Sequence, residues 1–193
     1  MSEAEDKYEE LLREYGYFII KFEHICEIIR EKIKWLIFPY DSNNVIQSEQ
    51  NFIMVDILLE SLTAEPLIKK LYALYIFKFK NENEIVKVIS LIKNLFTDLI
   101  TIRNSFSHGH TSFNYYDYDT LEEIKDAFLL RHHKIKKEGL DKREKEISLE
   151  KIKNLNDNVS LFADCINNIE ALKIPKYLNE IKNTLNIIKF SIE

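Results

Sequence analysis

The chain has 193 residues, 46% of them hydrophobic and 12% aromatic, which is enough apolar material to bury a sizeable core without crosslinks or structural metals. Its formal net charge of -5 makes the surface as a whole repel a polyanion, so any nucleic-acid contact has to come from a local basic patch. Three glycines and three prolines are too few for the frequent turns of a sandwich or barrel, which predicts an all-α chain, a single domain over 1–193, built as one bundle of six or seven helices.

In chain order, the apolar positions from Tyr8 through Leu11, Tyr15, Phe18, Phe22, Ile25, Ile29 and Ile33 recur at steps of three and four. They predict a long amphipathic helix that stops before Pro39. A second helix is expected from Ser48 to Leu62, and a third from an N-capping Thr63 to Phe79 with Pro66 tolerated in its first turn. Ile85, Val88, Ile92, Leu95, Phe96, Leu99, Ile102 and Phe106 define a fourth, which Gly109 is placed to end. Residues 111–119 read as a tyrosine-rich loop, and Asp119 with Glu122 reads as a capping box opening a fifth helix to Lys137, ended by Gly139. Ser148 caps a sixth, with its stripe running from Leu149 to Leu172, and Pro175 starts a short last helix through Leu185 and Ile188. No segment alternates as a strand does.

Cys26 and Cys165 fall on apolar faces and read as small buried hydrophobes. The acidic opening of the chain has neither the basic nor the apolar run of a secretory signal, and no stretch is apolar enough to span a bilayer. A cytoplasmic protein without membrane contact is expected. Residues 131–145 hold seven Lys or Arg against three acids, so Arg131, Lys134, Lys136 and Lys137 are the candidate phosphate contacts.

One segment stands out: Ile102-Arg103-Asn104-Ser105-Phe106-Ser107-His108-Gly109, at the end of the fourth helix. It resembles the HEPN signature, an Arg followed after four to six residues by His, commonly with Asn directly after the Arg; Arg103, Asn104 and His108 match. Gly16-Tyr17-Phe18 and Phe22-Glu23 in the first helix are also similar to the opening helix of several HEPN proteins. One toxin branch of that family has Tyr two residues after the His, where this chain has His110, and the chain is not assigned to that branch.

The resemblance implies a HEPN-like helical fold and a homodimeric endoribonuclease that needs no metal or cofactor, plausible as a toxin or antiviral effector with an antitoxin or regulatory partner. Its chemistry would be attack of a ribose 2'-hydroxyl on the adjacent phosphorus. An imidazole with an ordinary pKa near 6.5 can take or return that proton near neutrality, a part for His108. Arg103 would fork across phosphate oxygens, and Asn104 would orient His108 or the phosphate. The alternative is a non-catalytic HEPN-like dimer that binds RNA or a partner protein.

Other readings of the same residues stay open. Arg103 and His108 can serve only the helix dipole and its last carbonyls. His110 lies within the permitted spacing from Arg103 and rivals His108. His108, His110, Asp117 and Asp119 could hold a metal, His132-His133 could hold a phosphate, and Tyr115, Tyr116 and Tyr118 could stack on bases. His24 reads as structural. On an ideal helix, five residues turn by about 140°, so Arg103 and His108 share a face only if the helix bends or ends between them.

Overall fold

The periodic apolar stripes do become helices. In a computed structural model, α1 spans Glu3–Ile37, α2 Val45–Glu60, α3 Ala64–Lys78, α4 Asn83–His108, α5 Leu149–Asn167 and α6 Pro175–Ile187, with a 3-10 turn at Ile169–Lys173 between the last two. The structure describes residues 3–39, 44–112, 115–116, 123–124, 127–136 and 139–190, and at 3–5, 110–112, 115–116, 123–124, 132–136 and 139–143 the description is of backbone alone. The chain is thus mainly helical, as its composition predicts. Among the described residues no helix is long and apolar enough to cross a membrane.

Local chemistry explains most of the ends. α1 stops two residues before Pro39, with the Phe38 N–H donating to the Lys34 carbonyl at 2.9 Å. Asn44 starts α2 three residues ahead of the expected Ser48, because its side-chain oxygen accepts from the Gln47 N–H at 3.3 Å. Thr63 does precede α3 in an extended conformation, but its hydroxyl makes no capping bond. Ser148 caps α5 as expected, its Oγ accepting from the Lys151 N–H at 3.3 Å. That helix ends earlier than the apolar stripe suggests, because the stripe continues in the tighter 3-10 turn, where the Ala171 N–H donates to the Asn168 carbonyl at 3.0 Å.

The expected fifth helix is not formed. Strand β4 (Ala127–Lys136) pairs antiparallel with β5 (Gly139–Ser148), and the short β1 (His110–Ser112) adds to the other edge of β4, giving the order β1-β4-β5. A separate two-stranded pair joins β2 (Tyr115–Tyr116) to β3 (Glu123–Ile124), inside the segment expected as a loop. The reason lies in pairing between distant residues. Ala, Leu, Lys, Arg and Glu favour helix locally, but the register sets Phe128 against Ile147, both fully buried, and Arg131 against Glu144. Gly139, expected to end a helix, opens β5 instead. The Asp119–Glu122 capping box lies outside the described residues.

The chain divides into two compact units, Met1–Phe22 with Thr101–Ser160 and Lys189–Glu193, and Glu23–Ile100 with Leu161–Ile188. In the first, Leu11, Phe18, Phe22, Phe106, Phe128 and Ile152 form the core. Among its described residues the buried polar side chain is that of Asn156, whose amide donates to both the backbone carbonyl (2.9 Å) and the carboxylate (2.8 Å) of Glu14. In the second, Phe79 stacks on Tyr75, and the Tyr75 hydroxyl donates to Glu170 at 3.3 Å. Burial first, and the Glu170 charge second, hold that phenol well above its ordinary pKa.

Candidate active site

The C-terminal turn of α4 is held by aromatic rings. Tyr15, Phe18 and Phe22 follow one another at steps of three and four, which puts them on one face of α1. Phe106 stacks on Tyr15 at 5.5 Å and meets Phe18 edge-on at 5.0 Å, while Phe128 of β4 closes on Phe106 at 5.6 Å. A helix leaves its last carbonyls without partners. Two of them are satisfied here: Phe106 accepts from the Tyr15 hydroxyl at 3.2 Å, and Ser105 accepts from the Gly109 N–H at 2.9 Å. The sequence contains this anchor as ordinary members of two apolar stripes, and the spacing of Tyr15, Phe18 and Phe22 is the one signal that could have found it.

On that fixed turn the three motif residues divide. Asn104 and His108 are both exposed and lie about 40° apart around the axis, one turn from each other. Arg103 is half-buried, with its guanidinium carbon 5.6 Å from the centre of the Phe22 ring, a cation–π distance, and its Nη1 3.5 Å from the Asn104 Oδ1. α4 runs unbroken to His108, so the bend that would bring Arg103 and His108 together within one chain does not occur. Arg103 and His108 remain about 140° apart in direction and about 7.5 Å apart along the axis.

His108 and His110 occupy different elements, the first ending α4 and the second opening β1. The register places His110 opposite Arg131, and Arg131 opposite Glu144, in one row across three strands. Within that row the Arg131 Nε donates to the Glu144 carboxylate at 2.9 Å. Arg131 therefore carries a local countercharge, unlike a bare phosphate-binding arginine.

The basic stretch also changes shape. A helix would spread it by 3.6-residue steps, whereas a strand alternates its faces. The register puts Lys134 and Lys136 on one face of the hairpin with His132, Arg143, Lys145 and one acid, Asp141 opposite Lys134, and Arg131 on the other with His133, Lys142 and Glu144. Arg143 and Lys145 join the candidate contacts through this register. Lys137 lies outside the described residues.

Among the described residues no three His, Cys, Asp or Glu side chains cluster to hold a metal; Asp117 and Asp119 of the suggested set, and Tyr118, lie outside them. Cys26 and Cys165 are buried, and burial followed by the neighbouring Asp164 charge raises the Cys165 thiol to about 11, which keeps it protonated and inert. His24 is exposed on α1. Comparison with protein families, with curated proteins and with solved structures gives no match.

Proposed function

We propose that the protein is a metal-independent endoribonuclease of the HEPN type, acting in the cytoplasm as a homodimer in toxin-like or antiviral defence. The observation that carries the reading is the solvent-facing Asn104–His108 pair on a helix end fixed by Tyr15 and Phe106, with Arg103 one residue away. In the reaction, His108 takes the 2'-hydroxyl proton as that oxygen bonds to phosphorus. The phosphorus–O5' bond breaks, O5' regains a proton, and a cyclic phosphate and a 5'-hydroxyl remain. Arg103 offsets the charge on the phosphorane oxygens.

The divergence of Arg103 and His108 in one chain supports a site made from two copies. Two α4 ends facing across a two-fold axis would set Arg103 of one protomer near the His108 of its partner, and water would return a proton to the leaving O5'. The β4–β5 hairpin would steer phosphates through Lys134 and Lys136. The test is incubation of the purified protein with mixed RNAs in EDTA, with mapping of the cut ends and light scattering of the same sample. Cyclic-phosphate ends from a species of twice the chain mass are expected; absence of cleavage at any protein concentration would overturn the reading.

A further inference from the structure

A surface helix of a globular protein carries one apolar stripe and a polar back, but α2 carries two apolar stripes. Ser48, Val55 and Leu59 are its buried side. Ile46, Ile53 and Ile57 lie about 160° round the axis from them and are 72%, 60% and 67% exposed. Exposed apolar area gathered on one helix marks an interaction surface.

The charges around the patch say what fits it. α2 contains Glu49, Asp56 and Glu60 and no Lys or Arg, and all three acids fall along one edge of the outward stripe; Asp56 already pairs with Lys34 of α1 at 2.8 Å, so Glu49 and Glu60 are the acids offered to a partner. Between α1 and α2 an open groove of about 560 Å³ is lined by Ile53, Ile57, Asp56, Glu60, Glu27 and Arg30. A second copy of α2 matches poorly. Antiparallel pairing about a two-fold axis sets each acidic edge against its own duplicate, and parallel pairing supplies no countercharge.

We propose that the outward face of α2 docks an amphipathic helix of a partner protein that carries aliphatic residues at steps of three and four and Lys or Arg along one edge. The apolar residues seat on Ile46, Ile53 and Ile57, and the cations meet Glu49 and Glu60. This surface involves none of the motif residues and stands independently of the ribonuclease reading. Trp35, the one tryptophan of the chain, packs edge-on against Phe52 of α2 at 5.1 Å, so docking has a built-in fluorescence reporter.

The probe is a synthetic tryptophan-free helical peptide of on the order of 20 residues, with a leucine stripe edged by lysine, compared with the same peptide edged by glutamate. Fluorescence anisotropy of the labelled peptide and Trp35 emission follow binding to the intact protein. The lysine peptide is expected to bind about tenfold or more tighter, with salt weakening it; Glu49→Lys with Glu60→Lys should reverse the preference, and Ile53→Ser with Ile57→Ser should abolish binding. The serine pair replaces exposed side chains, and circular dichroism checks its folding. The charge pair leaves the apolar stripe intact and decides the matter if the serine pair unfolds. Equal binding of both peptides, or binding of neither, would overturn the proposal. So would a fall in the assembly mass of the serine pair, because a second copy would then be the occupant.

Discussion

The Tyr15 hydroxyl donates to the carbonyl oxygen of Phe106 at 3.2 Å while the two rings stack at 5.5 Å, so one side chain of α1 both caps and packs the end of α4. The two contributions can be separated. Tyr15→Phe keeps the stacking and leaves one late carbonyl without its protein donor, which should cost about 0.5–1.5 kcal/mol. Tyr15→Ala removes the ring as well and should cost about 3 kcal/mol or more. Urea denaturation followed by circular dichroism measures both. Equal losses in the two variants would mean that the hydroxyl alone secures the helix end.

Glu84 at the start of α4 accepts from Lys182 of α6 at 2.8 Å and from Lys87 at 2.6 Å. These hydrogen bonds and charges, Lys182 first, lower its carboxyl from an ordinary 4.5 to about 2. Because the folded value lies below the unfolded one, the associated stability is present above about pH 4.5 and fades as pH falls toward 2. The site is exposed and therefore screened by salt. Carboxyl NMR should show Glu84 titrating near the lower value in the wild type. Lys182→Met should move the midpoint upward, still short of ordinary because Lys87 remains. An unmoved midpoint would remove Lys182 as the main cause.

What the sequence discloses and what it hides differ by range of interaction. Helix ends set by one or two neighbouring residues, such as Pro39 for α1 and Ser148 for α5, are readable because their physics is local. The β4–β5 hairpin is not: Phe128 and Ile147 are nineteen positions apart, and their pairing, with Phe128 also packed against Phe106, is of a range that the local helix preference of the residues between does not reveal. The two compact units escape notice for a related reason, since each is assembled from separated stretches with no linker between them. Of the candidate site, Arg103, Asn104 and His108 are legible as a motif. Their anchor is not, because Tyr15 and Phe106 lie 91 residues apart.

The hairpin register yields a prediction that a helix would not. Lys134 and Lys136 share a face with Arg143 and Lys145, whereas Arg131 lies on the other face and pairs with Glu144. If RNA is bound through the first face, Lys134→Glu with Lys136→Glu should weaken binding across sequences. The slope of log affinity against log salt should become shallower by about 0.7 for each phosphate of single-stranded RNA that is no longer neutralised. Arg131→Ala should have the smaller effect. A larger loss from Arg131→Ala, with an unchanged salt slope in the double variant, would move the RNA to the opposite face.

The motif itself provides the last test. His108→Ala deletes the proton-transfer group and Arg103→Ala deletes the charge that offsets the phosphorane, so each should slow RNA cleavage by about two orders of magnitude or more. Stability should respond differently in the two. His108 is exposed, and its removal should be nearly neutral. Arg103 is half-buried against Phe22, so its truncation should cost about 1 kcal/mol by removing the cation–π attraction and the packing of its stem. Arg103→Lys keeps a charge there but lacks the fork, and it should restore stability better than activity. If two copies complete one site, mixing the inactive His108→Ala and Arg103→Ala proteins should restore partial cleavage, because one of the two shared sites in the mixed dimer then keeps both intact residues. Failure of the mixture to cleave, when each variant still dimerises and the wild type is active, would place Arg103 and His108 of the same chain in one site. His110→Ala separates the two histidines: it should retain most activity, and an inactive His110→Ala beside an active His108→Ala would transfer the catalytic role to β1.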